Sequence, residues 1–153
     1  MSKALDNFID NRKKFSRFPV ERVAVMHKGG GFANLCIKNS IDSIDRTTGV
    51  KIMSGWLIIK TINNDCEIIS HFWNVSADNK HFDTTPLIDN NFEYIADPEV
   101  LCFGQENLGK LKSLTCYALT QNENNYIASE IIEGKVVQHK ITDLSNSNIF
   151  QFK

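Results

Sequence analysis

Apolar residues recur at helical spacing near the start of the chain. Between Lys3 and Phe15, Leu5, Phe8, Ile9 and Phe15 fall close to a 3.6-residue period with charges between them, which predicts a short amphipathic helix, and Pro19 ends it. "VERVAVMHK" (Val20–Lys28) alternates as a strand does. Gly29, Gly30 and Gly31 then predict a turn whose backbone can approach a ligand or another chain closely. A second helical stretch runs from Asn34 to Thr48, with Leu35, Ile41 and Ile44 apolar and Gly49 as a natural stop. On it Cys36, Asn39, Ser40 and Ser43 share one face. With Asn34 as N-cap, Cys36 stands in the first turn, close to the positive end of the helix dipole.

Beyond Gly49 the chain reads as strand after strand. "KIMSGWLIIKTI" (Lys51–Ile62), "CEIISHFWNV" (Cys66–Val75) and "KHFDTT" (Lys80–Thr85) are β-branched and aromatic runs separated by the polar turns "NND" and "SADN". "FEYIA" (Phe92–Ala96) predicts a further strand. "SLTCYALTQ", "NYIASEIIEG" and "KVVQHKIT" predict a meander turning at "NENN" and at Glu133-Gly134, and "NLGKLK" before it is a loop or a short helix. Helix, helix, then antiparallel sheet is the α+β class. No internal repeat, low-complexity tract or linker divides the 153 residues, so one domain spanning residues 1–153 is expected, long enough to bury its own core.

Charge and cysteine usage narrow the function classes. A formal net charge of −1 argues against a general affinity for nucleic acid or anionic membrane. The one basic stretch, "NRKKFSRF" (Asn11–Phe18), reads as the solvated face of the first helix. No segment approaches the ~18 consecutive apolar residues of a membrane span. The N-terminus has no apolar signal region, so a cytoplasmic location is expected. Cys36, Cys66, Cys102 and Cys116 show neither C-x-x-C nor zinc-finger spacing and are read as reduced thiols. His27, His81 and His139 have no companion at ligand spacing, and the glycine run lacks the signature of a P-loop or a dinucleotide site. Neither metal nor cofactor is expected.

What remains is a cysteine early on a helix, a histidine on a strand and an aspartate on the next strand. A helix N-terminus and a neighbouring imidazolium both favour the thiolate, which is the nucleophilic form. The imidazole then serves as general base and acid, provided a third group fixes its tautomer and ring plane. Cys36, His71 and Asp83 supply these parts in order. Directly opposed residues in an antiparallel hairpin have a constant index sum, which sets a condition. An odd loop or a bulge between Val75 and Lys80 turns His71 and Asp83 to the same face; an even loop turns Asp83 away. Pairing Val75 with Asn79 places His71 opposite Asp83, and Asn79 can supply the left-handed residue such a loop wants.

"HFWNV…KHFDTTP" resembles the His-x-Trp…Asp-x-x-Pro signature of the transglutaminase-type core of the papain-like superfamily, with His71, Trp73, Asp83 and Pro86 at its positions. The Gly30-Gly31…Cys36…Asn39 stretch is similar to the nucleophile end of that core, and the likeness runs from Gly29 to Pro86, a little over a third of the chain. Bacterial and phage proteins of unassigned role share the same order of Cys-Asn, Gly-Trp, His-x-Trp and Asp-x-Thr-Pro, completed here by Gly55-Trp56. The resemblance implies a papain-like, transglutaminase-type core in which N-terminal helices pack on an antiparallel sheet. It also implies thiol-dependent acyl transfer on an amide or ester substrate, including one carried by a protein, with Cys36 as nucleophile, His71 as base and acid, and Asp83 as its orienter.

Asn39 and Ser40, on the Cys36 face of the helix, are expected to line the substrate site. Trp56 and Trp73 are either core anchors or walls of a substrate cleft. Plainer roles stand beside the chemical ones. His71 is also a candidate core histidine, Asp83 a candidate strand-end organiser, and Cys36 an inert helix thiol. In that case the chain is a non-enzymatic binding or accessory domain of the same fold.

Overall fold

The first helix, α1 (Lys3–Phe15), buries the face its periodicity predicts. Leu5, Phe8 and Ile9 pack with Trp56, Ile58, Phe72 and Ile95 of the sheet, and the Phe8 ring stands edge-on to Trp56 with centroids 5.2 Å apart. The basic stretch at its end differs from expectation. Lys13 and Lys14 face solvent, but Arg12 is completely buried and forks onto Asp97 and Glu99. A buried guanidinium persists where carboxylates meet it with good geometry, and here two do. The computed structural model describes residues 3–33, 36–60, 66–86, 92–100, 115–118, 126–132 and 135–141.

The alternating stretch after Pro19 forms two strands rather than one, β1 (Glu21–Val23) and β2 (Val25–His27), broken at Ala24. The break lets one segment serve two partners. β1 pairs antiparallel with β6 (Phe92–Ala96), and β2 pairs parallel with β5 (His81–Asp83). Between them run β3 (Lys51–Lys60) and β4 (Cys66–Val75), antiparallel to each other in unbroken register from Lys51↔Val75 to Lys60↔Cys66. β3 also pairs with β6, and β4 with β5. The pairings therefore close a ring of five positions: the β1–β2 segment, β6, β3, β4 and β5. An odd ring of alternating strands cannot close without one parallel pair, which is why β2 and β5 depart from the antiparallel expectation.

The ring separates two cores. Inside it, Leu57, Trp73, Tyr94 and Ala96 are buried with Val23, Val25 and Met53 against them. Outside, the larger cluster under α1 includes Trp56, Ile58, Ile68, Phe72 and Ile95. Neighbours in sequence such as Phe72 and Trp73 face opposite cores, as a period of two requires. Strands β7 (Thr115–Ala118), β8 (Tyr126–Ile132) and β9 (Lys135–Ile141) continue the sheet from β4 as an antiparallel meander, as their alternation predicts. The predicted turns "NND", "NENN" and Glu133-Gly134, and the "NLGKLK" stretch, lie outside the described residues. The mixed helix and antiparallel-rich sheet is α+β.

One edge of β4 changes partner along its length. β7 pairs with Cys66–Ile69 and β5 with Asn74–Val75, so among the described residues no strand covers Ser70–Trp73 on that edge. The second helix, α2 (Cys36–Arg46), packs against β4. Its inward face is the polar one: Asn39 and Ser40 are buried, while Ile37, Ile41 and Ile44 are exposed. Hydrogen bonding explains this orientation. Asn74 on β4 donates from Nδ2 to the Ser40 carbonyl at 2.9 Å, which ties the helix backbone to the sheet. Gly49 follows the helix at φ 81°, the left-handed stop expected there.

Candidate active site

His71 lies in the middle of the uncovered stretch of β4 and points into the ring. Its register partner on β3 is Gly55, which has no side chain to compete for that space. A Cβ at Gly55 would stand 2.8 Å from Cη2 of Trp73 and closer still to the Ile95 carbonyl oxygen. Glycine is therefore what allows the strands and the indole to close around His71. The Trp73 ring stacks on the imidazole with centroids 6.1 Å apart and an interplanar angle of 24°, which fixes its plane.

The hairpin satisfies the predicted condition by a shifted route. Ladder pairs run Val75↔His81 and Asn74↔Phe82, and Ser76 and Lys80 close the loop beyond them. The three residues between, Ala77 to Asn79, form an odd loop, and Asn79 takes the left-handed conformation at φ 63°. Compared with pairing Val75 to Asn79, the register moves by two in index sum, so parity is kept and Asp83 faces the same side as His71, one step along the diagonal. The result is a hydrogen bond from His71 Nε2–H to Asp83 Oδ2 at 2.7 Å, with both residues buried.

Asp83 is held from every side. Its other oxygen, Oδ1, accepts the Thr85 amide at 2.9 Å, so the residue also organises the strand end. Tyr94 of β6 donates its hydroxyl to Oδ2 at 2.7 Å. The strand is pinned as well, with Lys28 N–H on the Asp83 carbonyl and Gly31 N–H on that of Thr84, both at 2.9 Å. Gly29 and Gly30 adopt positive φ to make this return, which explains the glycine run.

Cys36 is the first described residue of α2, half-buried and unbridged. It packs against the outer core and is near enough to His71 to favour the protonated imidazole. Because Nε2 is taken by Asp83, Nδ1 is the ring nitrogen left for sulfur. Burial alone would push the His71 imidazole toward the neutral form, but hydrogen bonds and charge from Asp83 and Cys36 outweigh it and hold the group up at about 9. For Asp83 burial acts upward, and the bond to His71, its charge, Tyr94 and the Thr85 amide together hold the carboxyl below the ordinary range.

Of the seven residues picked from the sequence, His71 and Asp83 are bonded to each other, and Cys36 stands near them at the start of α2. Asn39 and Ser40 sit beside them, buried and bonded to the surrounding chain. The Asn39 amide bonds both the N–H and the carbonyl of Phe32 and reaches Thr85 Oγ1, joining the glycine turn to the strand of Asp83. Ser40 Oγ donates to the Cys36 carbonyl at 2.7 Å. Trp73 is fully buried against the imidazole, as a core anchor is, and donates Nε1–H to His81 Nδ1 at 3.0 Å. Trp56 is not part of the site. One residue from Gly55, it faces the outer core and donates to Asp97 Oδ2 at 2.9 Å, because the strand period puts it opposite His71. The residue that sequence reading missed is Tyr94. Its only signal is its place on an alternating strand, since nothing in "FEYIA" announces a carboxylate partner. The proposed N-cap, Asn34, lies outside the described residues.

No family model, curated protein or solved structure matches the chain.

Proposed function

We propose that the chain is a thiol-dependent acyl-transfer enzyme built on a papain-like, transglutaminase-type core, acting on an amide or ester. The observation that carries this reading is the buried His71, bonded through Nε2 to Asp83, with Cys36 on the facing helix near enough to favour its protonated form. Cys36 Sγ attacks the acyl carbonyl carbon, and His71 passes its proton to the departing amine or alcohol as the C–N or C–O bond breaks. The resulting thioester is cleaved when His71 takes a proton from water or an amine as that nucleophile attacks, returning Cys36. Asp83 holds the ring's tautomer throughout. The role needs only side chains, and a cytoplasmic setting with reduced thiols suits it.

The test is the alkylation rate of Cys36 with Cys66, Cys102 and Cys116 replaced by Ala. At pH 6 the rate is expected to fall at least ~10-fold on His71→Ala, because the imidazolium that favours the thiolate is gone. A slow thiol indifferent to His71 would refute the reading. A binding or accessory domain is the second reading, favoured by the exposed Ile37, Ile41 and Ile44 on α2. It requires that inert thiol, and it requires loss of partner capture when those isoleucines become Ser.

A further inference from the structure

Tyr94 has no part in the acyl-transfer scheme above, yet it is buried at 3% exposure and aimed at the centre of the site. Its hydroxyl donates to Oδ2, the Asp83 oxygen that also accepts the His71 proton, while the Thr85 amide takes Oδ1. Its ring stands edge-on to Trp73 with centroids 5.2 Å apart, and Trp73 is the side chain stacked on the imidazole. The phenol therefore touches both groups that fix the ring of His71. We infer that Tyr94 is a positioning residue for this chemistry: its O–H, sharing Oδ2 with His71, orients the carboxylate and weakens its hold on the imidazole proton.

Two donors on one carboxylate oxygen compete for its electron density, so each makes the oxygen a poorer acceptor for the other. An imidazole must give up its proton to the leaving group, and it does so best when its proton affinity lies near the working pH. Asp83 and Cys36 together push His71 in the other direction, up to about 9. Tyr94 opposes that push without removing Asp83 from its place. The remaining groups facing this pair are Cys36 from α2, His27 from β2, which is the register partner of Asp83 with its ring 5.6 Å from Tyr94, and His81 from β5, engaged with Trp73. β3 brings Gly55 and no titratable group to His71. The role rests on the acyl-transfer reading, but the titration that tests it needs no turnover.

The experiment is a ring-nitrogen NMR titration of His71, assigned by loss of its signals in His71→Gln, in a Cys36→Ala chain where no thiol shares the titration. Tyr94→Phe removes only the hydroxyl, and the His71 midpoint is expected to rise by roughly half to one pH unit, about 3- to 10-fold in proton affinity. An unchanged or lowered midpoint in a variant that still melts cooperatively would overturn the inference. Should Tyr94→Phe fail to fold, biosynthetic replacement of the chain's three tyrosines by 3-fluorotyrosine keeps every hydroxyl and makes it a stronger donor. The midpoint should then fall, and no change would again overturn the role. A shifted midpoint beside an inert Cys36 would keep the positioning geometry and refute the enzyme reading, so the two failures are distinct.

Discussion

Replacing Asp83 by Asn separates the ion pair of the site from its hydrogen bonds. The carboxylate is 1% exposed and accepts from His71 Nε2, Tyr94 Oη and the Thr85 amide. Asn keeps an oxygen for one or two of these donors but carries no charge, so about 1–2 kcal/mol of hydrogen bonding is lost at any pH. The rest depends on pH. The His71 proton affinity rises from an ordinary value of 6.5 to about 9 in the folded chain. Its whole rise corresponds to about 3 kcal/mol, of which Cys36 supplies part, leaving about 1–2 kcal/mol to Asp83. Because the folded value is the higher one, this stabilisation is fully present below pH 6.5 and is lost as pH climbs through about 9. Asp83 itself, held below the ordinary carboxyl range, stays ionised throughout that interval and adds no slope of its own. Urea unfolding in a Cys36→Ala background, which removes thiol ionisation, should show Asp83→Asn costing about 2–4 kcal/mol at pH 6 and about 1–2 kcal/mol at pH 10. A cost independent of pH, or larger at pH 10, would refute the ion-pair account.

Other perturbations test the surroundings of the pair. Gly55→Ala puts a methyl group against the Ile95 carbonyl oxygen and 2.8 Å from Trp73 Cη2, where backbone cannot yield cheaply. It should cost about 3 kcal/mol or more, seen as a lowered melting temperature and altered near-UV aromatic signal. Arg12→Ala strands Asp97 and Glu99 in the outer core and should cost about 3–5 kcal/mol in the same urea assay, whereas Lys13→Ala on the exposed side should stay within about 0.5 kcal/mol. Equal effects of Arg12 and Lys13 would refute the buried ion-pair assignment.

The legible parts of this fold were those set by local periodicity. The spans of α1, β4 and β6 follow from their patterns because each has one clear period and a polar or proline boundary. Parity was legible too: with a period of two, only the oddness of the loop mattered, so His71 and Asp83 meet although the register is shifted by a step. Sequence could not show that Val20–Lys28 would break at Ala24, since the break arises from closing a five-position ring. Nor could it distinguish Trp56 from Trp73, two aromatics on neighbouring strands whose faces follow from register. Arg12 read as a surface charge because its partners lie 85 and 87 residues away. Tyr94 was hidden because any strand can carry a tyrosine, and only the sheet order of β6 brings this one to Asp83.

The five-position ring also bears on the order in which the molecule assembles. The bonds of the acid–base pair are short-range, with His71 and Asp83 separated by 12 residues and Asp83 and Tyr94 by 11. They belong to one hairpin and the strand after it, the kind of contact a growing chain makes early. The pairing that shuts the ring is of another kind, joining Glu21 to Ala96 and bringing Arg12 to Asp97 across 85 residues. During synthesis Cys36 emerges long before β6 exists to complete the wall behind it. The histidine and its carboxylate thus belong to local chemistry, whereas their enclosure waits on nearly a hundred residues of chain and the arrival of the last strand of the ring.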